Sequence, residues 1–141
     1  MTALDTSLLT RCALALEQGL VLLQETSPDS VAYELYRSAC VKEFEIIIEQ
    51  AGKLLKKALR PYYATPRHTE LLVYKDIFRA AVQHGLLDTT TGERWLLYRD
   101  NRNTTAHDYG VGFAEKTIKL LPQFAVDAKD LAELLHGKPL Y

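Results

Sequence analysis

Leu8, Leu9, Cys12, Leu16, Leu20 and Leu23 recur every three or four positions, the spacing that lines one side of an α-helix, and predict a first helix ending near Thr26 and Ser27. The tripeptide Ser27-Pro28-Asp29 reads as a restart, with Ser27 capping free amides, Pro28 in the first turn and Asp29 set against the helix dipole. Val31, Leu35, Phe44, Ile47, Ile48, Ala51, Leu54, Leu55 and Ala58 then read as one apolar stripe reaching Arg60, a helix of about 30 residues and about 45 Å. Residues 61–66, opening and closing on proline, are the clearest loop. A third helix is expected over about 69–84, with Leu71, Leu72, Ile77, Phe78, Ala81 and Val82 inward and Gly85 closing it. Residues 88–92 supply capping oxygens to a fourth helix from about Glu93, carrying Trp95, Leu96 and Tyr98 and giving way by Gly110-Val111-Gly112. The last helix, over about 113–135, holds Ile118, Leu121, Phe124, Val126, Leu131 and Leu134, and Pro122 within it predicts a kink or local break. Residues 1–141 thus read as a single all-α domain, an antiparallel up-and-down bundle of four to five helices.

Composition agrees and narrows the function classes. An apolar share of 48% with 25% charged residues suits a globular core and excludes disorder, while seven glycines and five prolines are too few for the turns of a sandwich or barrel. Seventeen basic residues against 18 acidic remove the overall charge of a generic nucleic-acid binder but leave room for a local patch. Cys12 and Cys40 fit neither a disulfide framework nor a thiolate zinc site, which favours a reducing cytoplasm. The first helix is broken by Glu17 and Gln18, unlike a signal peptide, and no segment has the apolar length of a membrane span.

Residues 99–109, Arg-Asp-Asn-Arg-Asn-Thr-Thr-Ala-His-Asp-Tyr, depart from bundle logic, because almost nothing in them is apolar. Arg102 offers a planar donor fork for phosphate, His107 can take and return a proton near neutral pH, and Asn103 can orient either. That set suits phosphodiester chemistry without a metal. On a continuous helix, Arg102 and His107 would point about 140 degrees apart. They converge only if the helix unwinds near Thr104 and Thr105, or if two copies of the segment meet across a symmetric dimer. The plain structural alternative is that Arg102 pairs with a carboxylate and His107 closes a helix terminus.

The spacing from Arg102 to Tyr109, R-N-x3-H-x-Y, resembles the R-x4-H-x-Y signature of HEPN toxins from HEPN and MNT toxin-antitoxin pairs, the HepT-like proteins also called nucleotidyltransferase substrate-binding proteins. Val41-Lys42-Glu43-Phe44-Glu45 with Lys53-Leu54-Leu55-Lys56 is similar to that family's long second helix, and residues 74–87 and 95–103 follow its order, so the likeness covers about residues 8–135. The resemblance implies a HEPN-like, homodimeric, cytoplasmic ribonuclease toxin of a type VII module, acting on RNA without metal or cofactor. In it Arg102 would bind the scissile phosphate, His107 would serve as general base and then acid, and Asn103 would orient one of them. It further implies that Tyr109 accepts AMP from a partner MNT-type nucleotidyltransferase antitoxin, which silences the toxin by adding charge and bulk beside the cleft. Ala106 and Asp108 stand where the family often carries Ser and Thr. The alternative is a non-catalytic substrate-binding subunit of a two-component nucleotidyltransferase, using the same residues.

Lys53, Lys56, Lys57, Arg60 and Arg67 form a run with no acidic residue among them, readable as an RNA- or partner-binding patch joined by Arg99, or as the cationic end of a long helix. Tyr62 and Tyr63 could stack on bases or pack over a bundle end. His68, His84 and His136 lack a second ligand at helical spacing, so no metal site is expected. Nor is there a glycine-rich phosphate loop or a nucleotidyltransferase signature, so the chain is not expected to transfer nucleotides itself.

Overall fold

A computed structural model of the chain describes residues 3–105 and 111–139, with 103–105, 111 and 113 described by their backbone alone. Among them are six α-helices: α1 (Ser7–Gln24), α2 (Val31–Leu59), α3 (Pro66–Glu70), α4 (Tyr74–Gln83), α5 (Thr89–Thr105) and α6 (Val111–Leu135), with a single 3-10 turn over Arg60–Tyr62. The beginning of α1 lies beside the end of α6, where Ala3 pairs with Pro139 and the Leu4 N–H donates to the Lys138 carbonyl. Further along the same two helices Lys129 faces Glu17, so they run antiparallel. Contacts of Asn101 with Thr117 and of Tyr98 with Asp127 likewise make α5 antiparallel to α6. Helices α1, α2, α5 and α6 therefore alternate in direction as an up-and-down bundle, and α4 is packed on α2 and α5.

The core is aromatic where α2, α4, α5 and α6 meet. Trp95, Phe44, Phe78 and Phe124 are fully buried, with Phe44 edge-on to Phe124 and Phe78 stacked on Trp95. The long apolar stripe of α2 is buried only in part. Phe44, Ile47, Ile48, Ala51, Leu54, Leu55 and Ala58 are buried as expected, but Val31 and Leu35 are 71% and 66% exposed. Each of these two stands nine residues before a buried one, Cys40 and Phe44, which is about half a turn of phase on a helix and faces them outward.

Local chemistry explains the other differences. The cap of α2 is Ser30, whose Oγ accepts from the Tyr33 N–H, so Ser27-Pro28-Asp29 forms the turn before the helix and Ser27 is not the cap. The expected third helix divides: Thr65 caps a short α3 that begins on Pro66, and Val73, in an extended conformation, precedes α4. Leu71, expected inward, is therefore exposed. Gly85 closes α4 as expected, at φ 77°, with the Leu86 N–H reaching back to the Ala81 carbonyl. Helix α5 starts earlier than expected because Asp88 accepts from the Thr91 N–H at 2.7 Å. Helix α6 continues through Pro122, which lies on an exposed side, and Val126 faces outward.

Among the described residues no helix is long and apolar enough to cross a membrane.

Candidate functional site

Helix α5 delivers side chains in three directions. Gly92, Trp95, Tyr98 and Asn101, spaced three apart, turn toward the core. Arg99 and Arg102, also three apart, turn toward α2, where both meet the carboxylate of Glu49: Arg99 Nη1 and Arg102 Nη2 lie 3.1 and 3.2 Å from its Oε1. Asp100 faces α4 and pairs with Lys75 at 2.7 Å. The structure thus brings Arg99 and Arg102 together on one carboxylate. Of the other motif residues, the side chain of Asn103 and all of His107 and Tyr109 lie outside the described residues. The plain expectation that Arg102 pairs with a carboxylate is met, by a residue some fifty positions earlier in the chain.

Arg99 is held from two sides. Its guanidinium sits 4.6 Å from the centre of the Tyr74 ring while its Nη1 donates to Glu49. Tyr74 is fixed in turn by its hydroxyl, which donates to the Ile48 carbonyl at 3.0 Å, and burial pushes its phenol far above the usual tyrosine range. Gly52 makes this seat possible, since a Cβ there would fall 2.7 Å from the Tyr74 ring. Gly52→Ala is accordingly expected to destabilise the protein by about 1–3 kcal/mol and to displace Arg99, read as a lower melting temperature and changed Tyr74 ring resonances. An unchanged melting temperature would contradict this account of the seat.

Along α2 and its C-cap Arg60, Glu49, Lys53, Lys56 and Arg60 advance by four, three and four positions and so form one stripe about 16 Å long. Glu49, Lys53, Lys56 and Tyr74 border a recess of about 170 Å³ floored by Gly52. The run from Lys53 to Arg67 is less free than its sequence suggests. Glu70, at the end of α3, folds back onto it, 3.2 Å from Arg60 and 3.8 Å from Lys56. Lys53 is exposed and Lys57 half-buried. Tyr62 stacks on His84 and Tyr63 tilts against His68, the bundle-end packing rather than a free stacking platform.

Links that no local motif announces join the helices around the site. Asn101 Nδ2 donates to Thr117 Oγ1 at 2.9 Å, a buried bond joining the two helices that flank residues 106–110. One and two turns earlier, the buried carboxylate of Asp127 receives Arg94 through two bonds of 2.8 Å and the Tyr98 hydroxyl. Burial and the Asp127 carboxylate together push the Tyr98 phenol far up, and the hydrogen bond to Asp127 raises the Arg94 guanidinium further. At the start of α6, Glu115 joins Arg37 at 3.0 Å and accepts from the Tyr33 hydroxyl.

No cluster of three or more His, Cys, Asp or Glu that could hold a metal ion occurs among the described residues. The cysteine thiols of Cys12 and Cys40 are pushed up to about 11, chiefly by burial. A larger groove of about 1160 Å³ runs between the start of α1 and the end of α6, apart from the arginine pair.

The paired arginines stand near the end of α5, on a helical bundle, where that helix leads into the polar segment. Residues 4–136 match the family described as nucleotidyltransferase substrate binding protein like, and the chain belongs to that family. It is similar to a Haemophilus influenzae protein named probable ribonuclease HepT, 25% identical over 131 residues that cover 90% of this chain and 88% of the relative. Its fold matches a solved Haemophilus influenzae structure described as revealing the fold of a substrate binding domain of a nucleotidyltransferase, with a TM-score of 0.79, 24% identity, and coverage of 93% of this chain and 98% of the other. The HepT-like resemblance over about residues 8–135 is thus borne out for the family, and the all-α fold with it.

Proposed function

We propose that this chain is the toxin subunit of a type VII HEPN and MNT toxin-antitoxin module, a metal-independent endoribonuclease silenced by AMPylation. The observation that carries the reading is the position of Arg102. Its side chain is 31% exposed and stands beside that of Arg99, at the end of a helix that leads into the segment holding His107 and Tyr109. Two guanidiniums a helical turn apart suit a phosphodiester and the added charge of its pentavalent transition state. His107 then removes the proton of the ribose 2′-hydroxyl, whose oxygen attacks phosphorus, and returns a proton to the departing 5′ oxygen, leaving a 2′,3′-cyclic phosphate. Asn103 orients the phosphate or the imidazole. A homodimer supplies the convergence that a single helix denies to Arg102 and His107. The name of the Haemophilus relative supports this chemistry.

The family description favours a second reading, a non-catalytic subunit that holds substrate for a partner nucleotidyltransferase. Both readings give the chain such a partner. In the toxin reading that partner adds AMP to Tyr109. Incubation of the purified chain with the cognate nucleotidyltransferase and ATP is expected to add AMP to the wild type and not to Tyr109→Phe. Equal labelling of the two proteins by mass spectrometry would reject this site.

A further inference from the structure

Glu49 occupies the place where the proposed function needs an RNA phosphate. Its Oε1 receives both Arg99 and Arg102, although the three side chains are only 47%, 23% and 31% exposed. The arrangement uses the guanidiniums incompletely: the Nε of Arg102 is buried and has no hydrogen-bond partner among the described residues. A single carboxylate oxygen cannot take both forks in the bidentate manner that a phosphate, with more acceptor oxygens, allows. Glu49 also begins the stripe that continues through Lys53 and Lys56 to Arg60, so an RNA backbone following those cations reaches the arginines at this carboxylate.

We infer that Glu49 is an internal anion that stands in for the phosphate and must be displaced by it, a positioning and specificity-determining residue. This rests on the reading of Arg102 as a phosphate ligand. In the empty site Glu49 keeps two like-charged side chains a helical turn apart and pre-set toward α2, lowering their mutual repulsion. It also sets a threshold. A weak or singly contacting anion does not displace a carboxylate already bound to both arginines, whereas a backbone that engages Lys53 and Lys56 as well does. Glu49 takes no part in proton transfer, so its loss acts on binding and not on the chemical step.

The test is binding of a fluorescent single-stranded RNA oligonucleotide with 2′-O-methyl riboses, which lack the attacking hydroxyl, to the purified full chain across a salt series. Glu49→Gln, which keeps shape and an acceptor oxygen while removing the charge, is expected to bind about three- to tenfold more tightly at low salt. Its log-log salt slope should steepen by about 0.7, one further cation being available to release a counterion from single-stranded RNA. Glu34→Gln, an exposed change on the same helix, should match the wild type. Arg102→Ala should bind about tenfold more weakly. If Arg102→Ala weakens binding but Glu49→Gln, shown to be folded by its melting curve, does not tighten it, the role of Glu49 is overturned and the phosphate reading stands. If Arg102→Ala leaves binding unchanged, the phosphate reading fails and the inference with it.

Discussion

His107→Ala and Arg102→Ala are each expected to lower RNA cleavage by at least about 10²-fold and to abolish growth arrest on expression. The size follows from the two contributions removed, general acid and base catalysis at about 10²–10⁴ and charge stabilisation of similar weight. The two losses should not multiply, because the imidazole works only on a phosphate that the arginine holds. They should also differ in kind. Arg102→Ala should weaken the binding of an uncleavable RNA, whereas His107→Ala should leave that binding near the wild-type value. If wild type and His107→Ala arrest growth equally, or neither does, the ribonuclease reading loses its support and the substrate-binding subunit takes its place.

Asp127→Ala is expected to cost about 3 kcal/mol of stability, and Trp95→Ala about 3–5 kcal/mol. The Asp127 side chain is 2% exposed and accepts from Arg94, Tyr98 and Gln123, so its removal strands the buried Tyr98 hydroxyl and leaves Arg94 without its partner. Arg94 is 31% exposed and can turn to water, which keeps the loss near the lower end of the range for a broken buried pair. For a domain of this size the melting temperature should fall by about 10 °C. A fall of under about 2 °C would mean that the network does not fasten α5 to α6. Either variant should reduce toxicity through abundance, with the activity of the surviving folded protein little changed.

These two expectations draw on links of very different visibility in the sequence. The helical fold was legible in the three- and four-residue spacing of the apolar positions, and the polar segment from Arg99 to Tyr109 stands out because a contiguous motif interrupts that pattern. The closure of α4 was legible for the same local reason, since Gly85 turns where a left-handed residue is needed, whereas the cap of α2 lies three residues beyond the expected Ser27, at Ser30. Failures came where phase or distance decided. Val31 and Leu35 lie half a turn from the buried face of α2, an offset that a list of apolar residues hides. Glu49 meets Arg99 across 50 residues, and Asp127 meets Arg94 across 33, so neither partner could be picked out from 18 acidic residues by spacing. Glu70 is the sharpest case. It stands just beyond the basic run, yet the short α3 is what carries it back to Lys56 and Arg60.

Cleavage of RNA by the side chains of this chain, with no metal, is the property proposed for it. The direct measurement is incubation of the purified protein with a labelled single-stranded RNA in excess EDTA, with the new ends identified by mass spectrometry. Cleavage that persists in EDTA, leaves 2′,3′-cyclic phosphate ends and disappears in His107→Ala is the predicted result. An RNA that stays intact with the wild-type protein while still being bound would contradict the claim.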